Sequence, residues 1–563
     1  MDTARNQVNS LFAKKEPWQI AAISTASTLF AVWFFQFLIK EESWTTRAKK
    51  TFFRVARKIP SIKKKIDTEL DGLQKNFEET MTKQGDKIGY IVKLPEDGWH
   101  RKDILKKIDE YLELGNIKWQ EGYVSGAVYH FDSKIIDLMT KVYGKTSYTN
   151  PLHADIFPGI CKMEAEVLRM TANLFNGSSS TCGSITTGGT ESILLACKSY
   201  RDYGRDVNGI KYPNMVVPTT AHSAFDKAAQ YLGITVKTVK LEANTYKVDI
   251  KAMERAINGN TIMLVGSAPN YPYGTMDDIE KIAKLARKYK IPLHVDCCLG
   301  GFLTVFMERA GYSLPKFDFS VKGVTSISAD THKYGFTPKG SSVILYSDKK
   351  YRHHQYTVTT NWPGGIYGSP TVSGSRAGAT VACTWACLLF HGLDGYVEST
   401  KAIIDTSRYI EDKLRKIYGI FIFGTPATSV IAIGSDVFDI FRLSDGMHQK
   451  GWNLNILQFP SGIHICVTNM HTRPGVADNF INDVESIVAA LVLDPQAPVE
   501  GKMALYGVAQ EIPDRSIVGD FTKLFLDSLT FTPKRPKKFK KSDRSEKIKD
   551  NQTESNDVTL IDE

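Results

Sequence analysis

The sequence predicts an α/β protein: a doubly wound, mostly parallel sheet followed by a smaller C-terminal α+β domain, with one N-terminal transmembrane helix. Three observations carry this reading. From about residue 160, short apolar runs alternate with amphipathic ones, the pattern of parallel strands with helices on both faces. Polar and glycine-rich signals stand where those strands end. Near the N-terminus, Trp18 to Ile39 is a 22-residue run without a charged side chain.

The alternation is explicit. MVVPT reads as a strand, SAFDKAAQYLG as a helix and TVKTVKL as a strand. TIMLVGS, the helix DDIEKIAKLARKYK and PLHVDCC repeat the unit, and SISAD and SSVILYS follow. Ahead of this block, 66–150 is mainly helical, with DILKKIDEYLEL ending near Gly115. After it, residues 386–495 start with helices, pass through ATSVIAIGS and IHICVTN and end in a helix. The expected organisation is an N-terminus (1–17), a membrane helix (18–39), a basic juxtamembrane segment (40–84) and a helical segment (85–150). A large domain (151–385), a small C-terminal domain (386–530) and a disordered basic tail (531–563) complete it.

The formal charge of +10 is terminal: residues 40–65 carry ten Lys/Arg against two Glu, and 533–550 carry nine against three acids. The rest of the chain is slightly acidic, so its body is not a nucleic-acid surface. The eight cysteines follow no disulfide framework, and only Cys383 and Cys387 share a helical spacing, inside the apolar run VACTWACLLF. Buried free thiols in a reducing compartment are expected, and no metal site. At about 1.5 Å per residue, Trp18–Ile39 is long enough for a hydrocarbon core of roughly 30 Å. Gln19, Ser24, Thr25, Ser27, Thr28 and Gln36 dilute it, and no signal-peptidase-like site follows. The basic residues on its C-terminal side place the body in the cytosol by the positive-inside rule.

Ligands of open α/β sheets bind beyond the carboxyl ends of the strands. Three signals stand at such ends: His294-Val295-Asp296, Asp330-Thr331-His332-Lys333, and Ser184-Ile185-Thr186-Thr187-Gly188-Gly189-Thr190-Glu191, which opens a helix. Taken singly, each has a bland explanation, as a helix cap, a capping acid or a surface lysine. A glycine turn at a helix N-terminus also offers free N–H groups to a phosphate. Phosphate cradle, carboxylate and lysine, in this order on one sheet, are the parts that pyridoxal phosphate needs.

TTGGTES, HVDCCLGGF and SADTHKYG resemble the pyridoxal-phosphate enzymes of the aspartate-aminotransferase fold (fold type I), in their group II decarboxylase-like branch. More closely, VSGAVY, NPLHADIFPG, APNYPYGTMDDI, THKYGFTPKGSSVILY, YGSPTVSGSRAG and YGVAQEIPDRSIV resemble the sphingosine-1-phosphate lyases, across about residues 85–530. The resemblance implies that Lys333 carries the cofactor covalently and that Asp296 faces the pyridine nitrogen. It further implies that His222 stacks on the ring, and that Gly189, Thr190 and His332 hold the cofactor phosphate. Ser375 would reach that phosphate from a second subunit of a homodimer. Tyr129, His153 and Lys339 would hold the substrate's own phosphate, with Tyr271 near the reacting carbon. The reaction implied is retro-aldol cleavage of a phosphorylated sphingoid base at C2–C3, in the endoplasmic reticulum membrane. An amino-acid decarboxylase of the same fold and an inactive membrane scaffold are the alternatives.

Overall fold

The computed structural model describes residues 5–6, 9–10, 12–39, 44–85, 88–115, 117–498 and 514–532. The chain divides into two compact units. The first holds a seven-stranded sheet of β1 (Cys182–Thr186), β2 (Asn214–Pro218), β3 (Thr235–Val239), β4 (Thr261–Ser267), β5 (Leu293–Asp296), β6 (Val324–Ala329) and β7 (Ser342–Tyr346). Their order is β1-β7-β6-β5-β4-β2-β3, and only β7 runs against the others. The mostly parallel sheet expected from the alternation is therefore present. β1 is not apparent in the sequence, where Ser184-Ile185-Thr186-Thr187 reads on into the helix that follows.

Burial explains why these strands are continuous apolar runs. Leu264, Val265, Leu293, Val295, Ile327 and Leu345 are all 0% exposed, since helices cover both faces of a parallel sheet. Each such side chain contributes about 1.5–3 kcal/mol of burial. Local signals end the helices between the strands. Asp278 accepts a hydrogen bond from the Lys281 N–H and caps the helix Ile279–Tyr289, which Lys290 closes in a left-handed conformation. His294, inside β5, is bonded through both ring nitrogens to the Ser326 and Ser328 hydroxyls. Burial holds its pKa down to about 4, so it is a core histidine.

A hairpin of β8 (Thr357–Thr359) and β9 (Tyr367–Ser369) precedes the long helix Gly378–Leu414. A four-stranded antiparallel sheet follows, with β10 (Phe421–Ile422), β11 (Val430–Gly434), β12 (Asn455–Leu457) and β13 (Gly462–Cys466) in the order β10-β11-β13-β12. The domain boundary expected at 385/386 falls inside the long helix. That helix breaks later, at Gly392, whose φ of 58° and ψ of −176° are non-helical.

The second unit gathers the helices Trp44–Ala56, Pro60–Gly85, Arg101–Leu112 and Arg515–Ser528. The Arg57 guanidinium bridges Asp514 (3.0 Å) and Asp520 (2.8 Å), and Phe77 packs on Phe521 and Phe525. Residues 515–528, expected to close the small C-terminal domain, group here instead. Their apolar partner lies far upstream in sequence, which local patterning does not report. The segment 506–513 and the tail from 533 onward lie outside the described residues. Trp18–Ile39 falls in one helix, Pro17–Ile39. Among the described residues, no helix is long and apolar enough to cross a membrane.

Candidate active site

The carboxyl ends of β1, β5 and β6 share one edge of the large sheet, because β7 alone is reversed. That edge holds a cavity of about 300 Å³, at the lower end of the range for small-molecule clefts. Gly189, Thr190, His222, His332 and Lys333 all line it. Three segments far apart in sequence therefore meet in one space.

The glycine turn forms one end of the cavity. β1 stops at Thr186, and the 20-residue helix Gly189–Asn208 starts three residues later, pointing its free N–H groups and positive dipole end at the opening. Gly189 is required by space. A Cβ there would lie 2.8 Å from both Asp330 Oδ1 and Cys298 Sγ, closer than real side chains approach. Glu191 stiffens the turn by accepting from the Thr187 N–H and hydroxyl, each at 2.7 Å. Its other oxygen accepts from the Val372 N–H at 2.9 Å.

Lys333 follows β6 by four residues, with its Nζ 2.9 Å from Asp330 Oδ2. Burial is the largest influence and pulls this ammonium toward the neutral form, but the surrounding groups, Asp330 foremost, together raise the pKa above the ordinary lysine value. His332 donates from Nδ1 to the Ser341 carbonyl and places Nε2 3.8 Å from Asp330 Oδ2. Burial lowers its pKa, and the nearby Lys339 and Lys333 ammoniums add to that.

Asp296 ends β5, 7% exposed, with Oδ1 accepting from the Cys298 N–H at 3.0 Å and the Ser328 hydroxyl at 3.3 Å. His222 lines the cavity and also caps a helix start: its Nδ1 accepts from the Ala224 N–H at 3.1 Å. That bond leaves the neutral ring's proton on Nε2. The capping explanation and a place in the site are thus both realised. Tyr271 packs edge-on against His222 (6.3 Å between centroids) and His464 (4.8 Å).

Tyr129 and Lys339 meet beside this cavity. Lys339 Nζ lies 4.8 Å above the Tyr129 ring and 3.4 Å from the His332 carbonyl oxygen. Partial burial and the Lys333 ammonium lower its pKa. His153 does not join them: it is exposed on the turn before the helix Pro158–Leu174, and no hydrogen bond or ring contact among the described residues links it to either. Ser375 is also exposed and lines a smaller cavity of about 90 Å³ with Thr187 and Glu191. Neither side chain lines the Lys333 cavity of its own chain. Asp330 and Glu191 were not singled out from the sequence as site residues. For Asp330 the signal was the i, i+3 spacing to Lys333, which points a carboxylate and an amine at each other only once the turn is known.

A cradle closed to any Cβ at Gly189, a lysine facing the cavity and a buried carboxylate two residues before Cys298 fit pyridoxal phosphate. Comparison with known proteins agrees. The pyridoxal-dependent decarboxylase conserved domain matches residues 89–432. Sphingosine-1-phosphate lyase of Drosophila melanogaster is 59% identical over 93% of this chain and 96% of its own length. Sphingosine-1-phosphate lyase 1 of Mus musculus is 50% identical over 94% of this chain and 93% of its own.

The chain belongs to the sphingosine-1-phosphate lyases.

The solved sphingosine-1-phosphate lyase of Burkholderia pseudomallei superposes with a TM-score of 0.74 at 38% identity, over 80% of this chain and 99% of that one. A glutamate decarboxylase of Lactobacillus brevis superposes at 0.63 with 21% identity, over 73% and 96%, and shares the fold alone. As a member of the lyase family, the chain is a pyridoxal-phosphate-dependent enzyme.

Proposed function

We propose that this enzyme cleaves phosphorylated sphingoid bases between C2 and C3, giving a long-chain aldehyde and phosphoethanolamine. The observation that carries the reading is Lys339. It places a second cation beside the Lys333 cavity, over the Tyr129 ring and outside the cofactor's own phosphate cradle. An amino-acid decarboxylase has no use for a second phosphate contact. Bound pyridoxal phosphate supplies a sink for the electrons released when the C2–C3 bond breaks.

The residues divide the remaining work. Gly189, Thr190 and His332 hold the cofactor phosphate, and Lys333 carries the cofactor. Asp296 holds a proton at the ring nitrogen, and His222 stacks on the ring. Tyr129 and Lys339 orient the substrate through its phosphate by charge-assisted hydrogen bonds, and Tyr271 borders the reacting carbons. The C3 hydroxyl loses its proton as C3 becomes a carbonyl, the C2–C3 bond breaks, and C2 takes up a proton. His153 and Ser375, exposed in a single chain, complete the site from a second copy in a homodimer.

The test is aldehyde release from phosphorylated and dephosphorylated sphingoid bases by wild type and Lys339→Ala. Wild type should strongly prefer the phosphorylated base. The variant should lose about 1.5–3 kcal/mol, roughly ten- to over a hundredfold in kcat/KM, together with most of that preference, while still binding cofactor. Equal turnover of both bases by wild type would exclude the lyase reading, as would comparable release of carbon dioxide from an amino acid.

We further propose that Pro17–Ile39 anchors the enzyme in the endoplasmic reticulum membrane with its body in the cytosol. The helix carries no charged residue, and the ten Lys/Arg of 40–65 follow it. Its polar dilution leaves it short of the apolarity of a membrane-crossing helix, so the anchor depends on the basic segment's added attraction to anionic headgroups. Protease added to sealed vesicles should digest the C-terminal tail. Protection of the tail until detergent is added would show the opposite orientation. Deleting residues 1–45 should release a soluble, active enzyme.

A further inference from the structure

Asp330 stands in an unexpected place for an acid. It is 3% exposed, at the end of β6, and lines the same cavity as the glycine cradle. A carboxylate there repels an incoming phosphate unless a cation neutralises it. Lys333 is that cation, 2.9 Å from Oδ2. The other oxygen, Oδ1, has no hydrogen-bond partner among the described residues and faces the start of the helix at Gly189. Asp330 therefore has one strong contact, the lysine that the cofactor requires.

Apart from Asp330 and Asp296, the lysine's surroundings disfavour a charged amine. The site is buried, and Lys339 on the same loop adds like charge. Cys298 and Cys466 present thiols and Tyr271 a phenol, all of them neutral near pH 7 because burial raises their pKa values. His332, the other group facing Asp330, is itself held toward the neutral form. Asp296 also contributes favourably to the ammonium, but Asp330 is the larger influence and the one in contact.

We propose that Asp330 is a positioning residue that keeps the Lys333 amine protonated, and aimed into the cavity, whenever that amine is not covalently engaged. This rests on Lys333 being the cofactor-bearing lysine. It sharpens the division of labour: an ammonium cannot take the C3 hydroxyl proton, so Lys333 acts as the acid at C2 and not as the base at C3. One proton passes from Nζ to C2, Lys333 is left neutral, and the neutral amine is the form able to rejoin the cofactor. No electrons are exchanged with any further reagent. The proton that leaves the C3 hydroxyl goes to another base or to water.

The test reads the amine directly, in enzyme stripped of cofactor. Lys333 labelling by an amine-selective acylating reagent is followed by peptide mass spectrometry across pH. In wild type, labelling near neutral pH should be far slower than that of exposed lysines and should rise only under strongly alkaline conditions. In Asp330→Asn, burial and Lys339 are opposed only by Asp296, so the amine should lose at least one pKa unit. That corresponds to about tenfold more neutral amine and about tenfold faster labelling near neutral pH. Asp330→Glu should restore slow labelling. Unchanged Lys333 labelling in a folded Asp330→Asn protein would overturn the proposal. Should that variant not fold, the wild-type profile decides alone: labelling near neutral pH as fast as for exposed lysines overturns it. Borohydride trapping of the cofactor on a different lysine would instead overturn the assignment of Lys333, leaving the two failures distinguishable.

Discussion

Lys333→Ala should give a folded protein that neither retains pyridoxal phosphate covalently nor turns over substrate. The lysine is the amine that the cavity offers beside the glycine cradle, and it reaches that cavity from the loop after β6. Its removal takes away the attachment point while leaving the β6 core intact, since Ile327 and Ala329 carry the burial there. The change strands Asp330 without its cation, so some loss of thermal stability is expected as well. Borohydride reduction followed by peptide mapping should find the cofactor on Lys333 in wild type and nowhere in the variant. Lys333→Arg should be equally inactive, because a guanidinium stays protonated and cannot form the linkage. Normal turnover by folded Lys333→Ala would refute the assignment.

Asp296→Asn should bind cofactor on Lys333 yet lose at least about 10²–10³ in kcat, the scale seen when one preorganised electrostatic group is removed. The substitution is nearly isosteric. An amide oxygen can still accept from the Cys298 N–H and the Ser328 hydroxyl, which are the bonds that seat this side chain at the end of β5. What the amide cannot do is hold a positive charge at the ring nitrogen. The expected result is therefore a stable protein with its cofactor trapped and its chemistry slow. Activity within a few-fold of wild type would mean that Asp296 serves only to cap the turn after β5.

Much of the site was legible in the sequence because its parts sit at strand ends, and strand ends are marked by local patterning. TTGGTE, HVD and ADTHK each announce a turn at the edge of a sheet, and the resemblance to the lyases assigns them roles. Capping residues such as Asp278 and the periodicity of Ile279–Tyr289 are equally local. The missed features are those set by distant partners. Arg515–Ser528 groups with Pro60–Gly85 through the Arg57–Asp514 and Arg57–Asp520 pairs, and β1 pairs with β7 across about 160 residues. The long helix carries its break at Gly392, just past the apolar run VACTWACLLF.

The sequence by itself determined the fold class and the order of the cradle, acid and amine along one sheet, and its motifs carry the family resemblance. The first two follow from residue type, spacing and periodicity, which the chain carries wherever it is placed. Only the tertiary structure decided which of the named side chains share a cavity. Tyr129 and Lys339 meet over 210 residues, whereas His153 and Ser375 stay exposed. It also decided that Asp330, unremarkable in the string SADTHK, is the charge against which Lys333 rests. The physical reason is the same in each case. The strength of an electrostatic contact depends on distance and burial, and folding alone sets both.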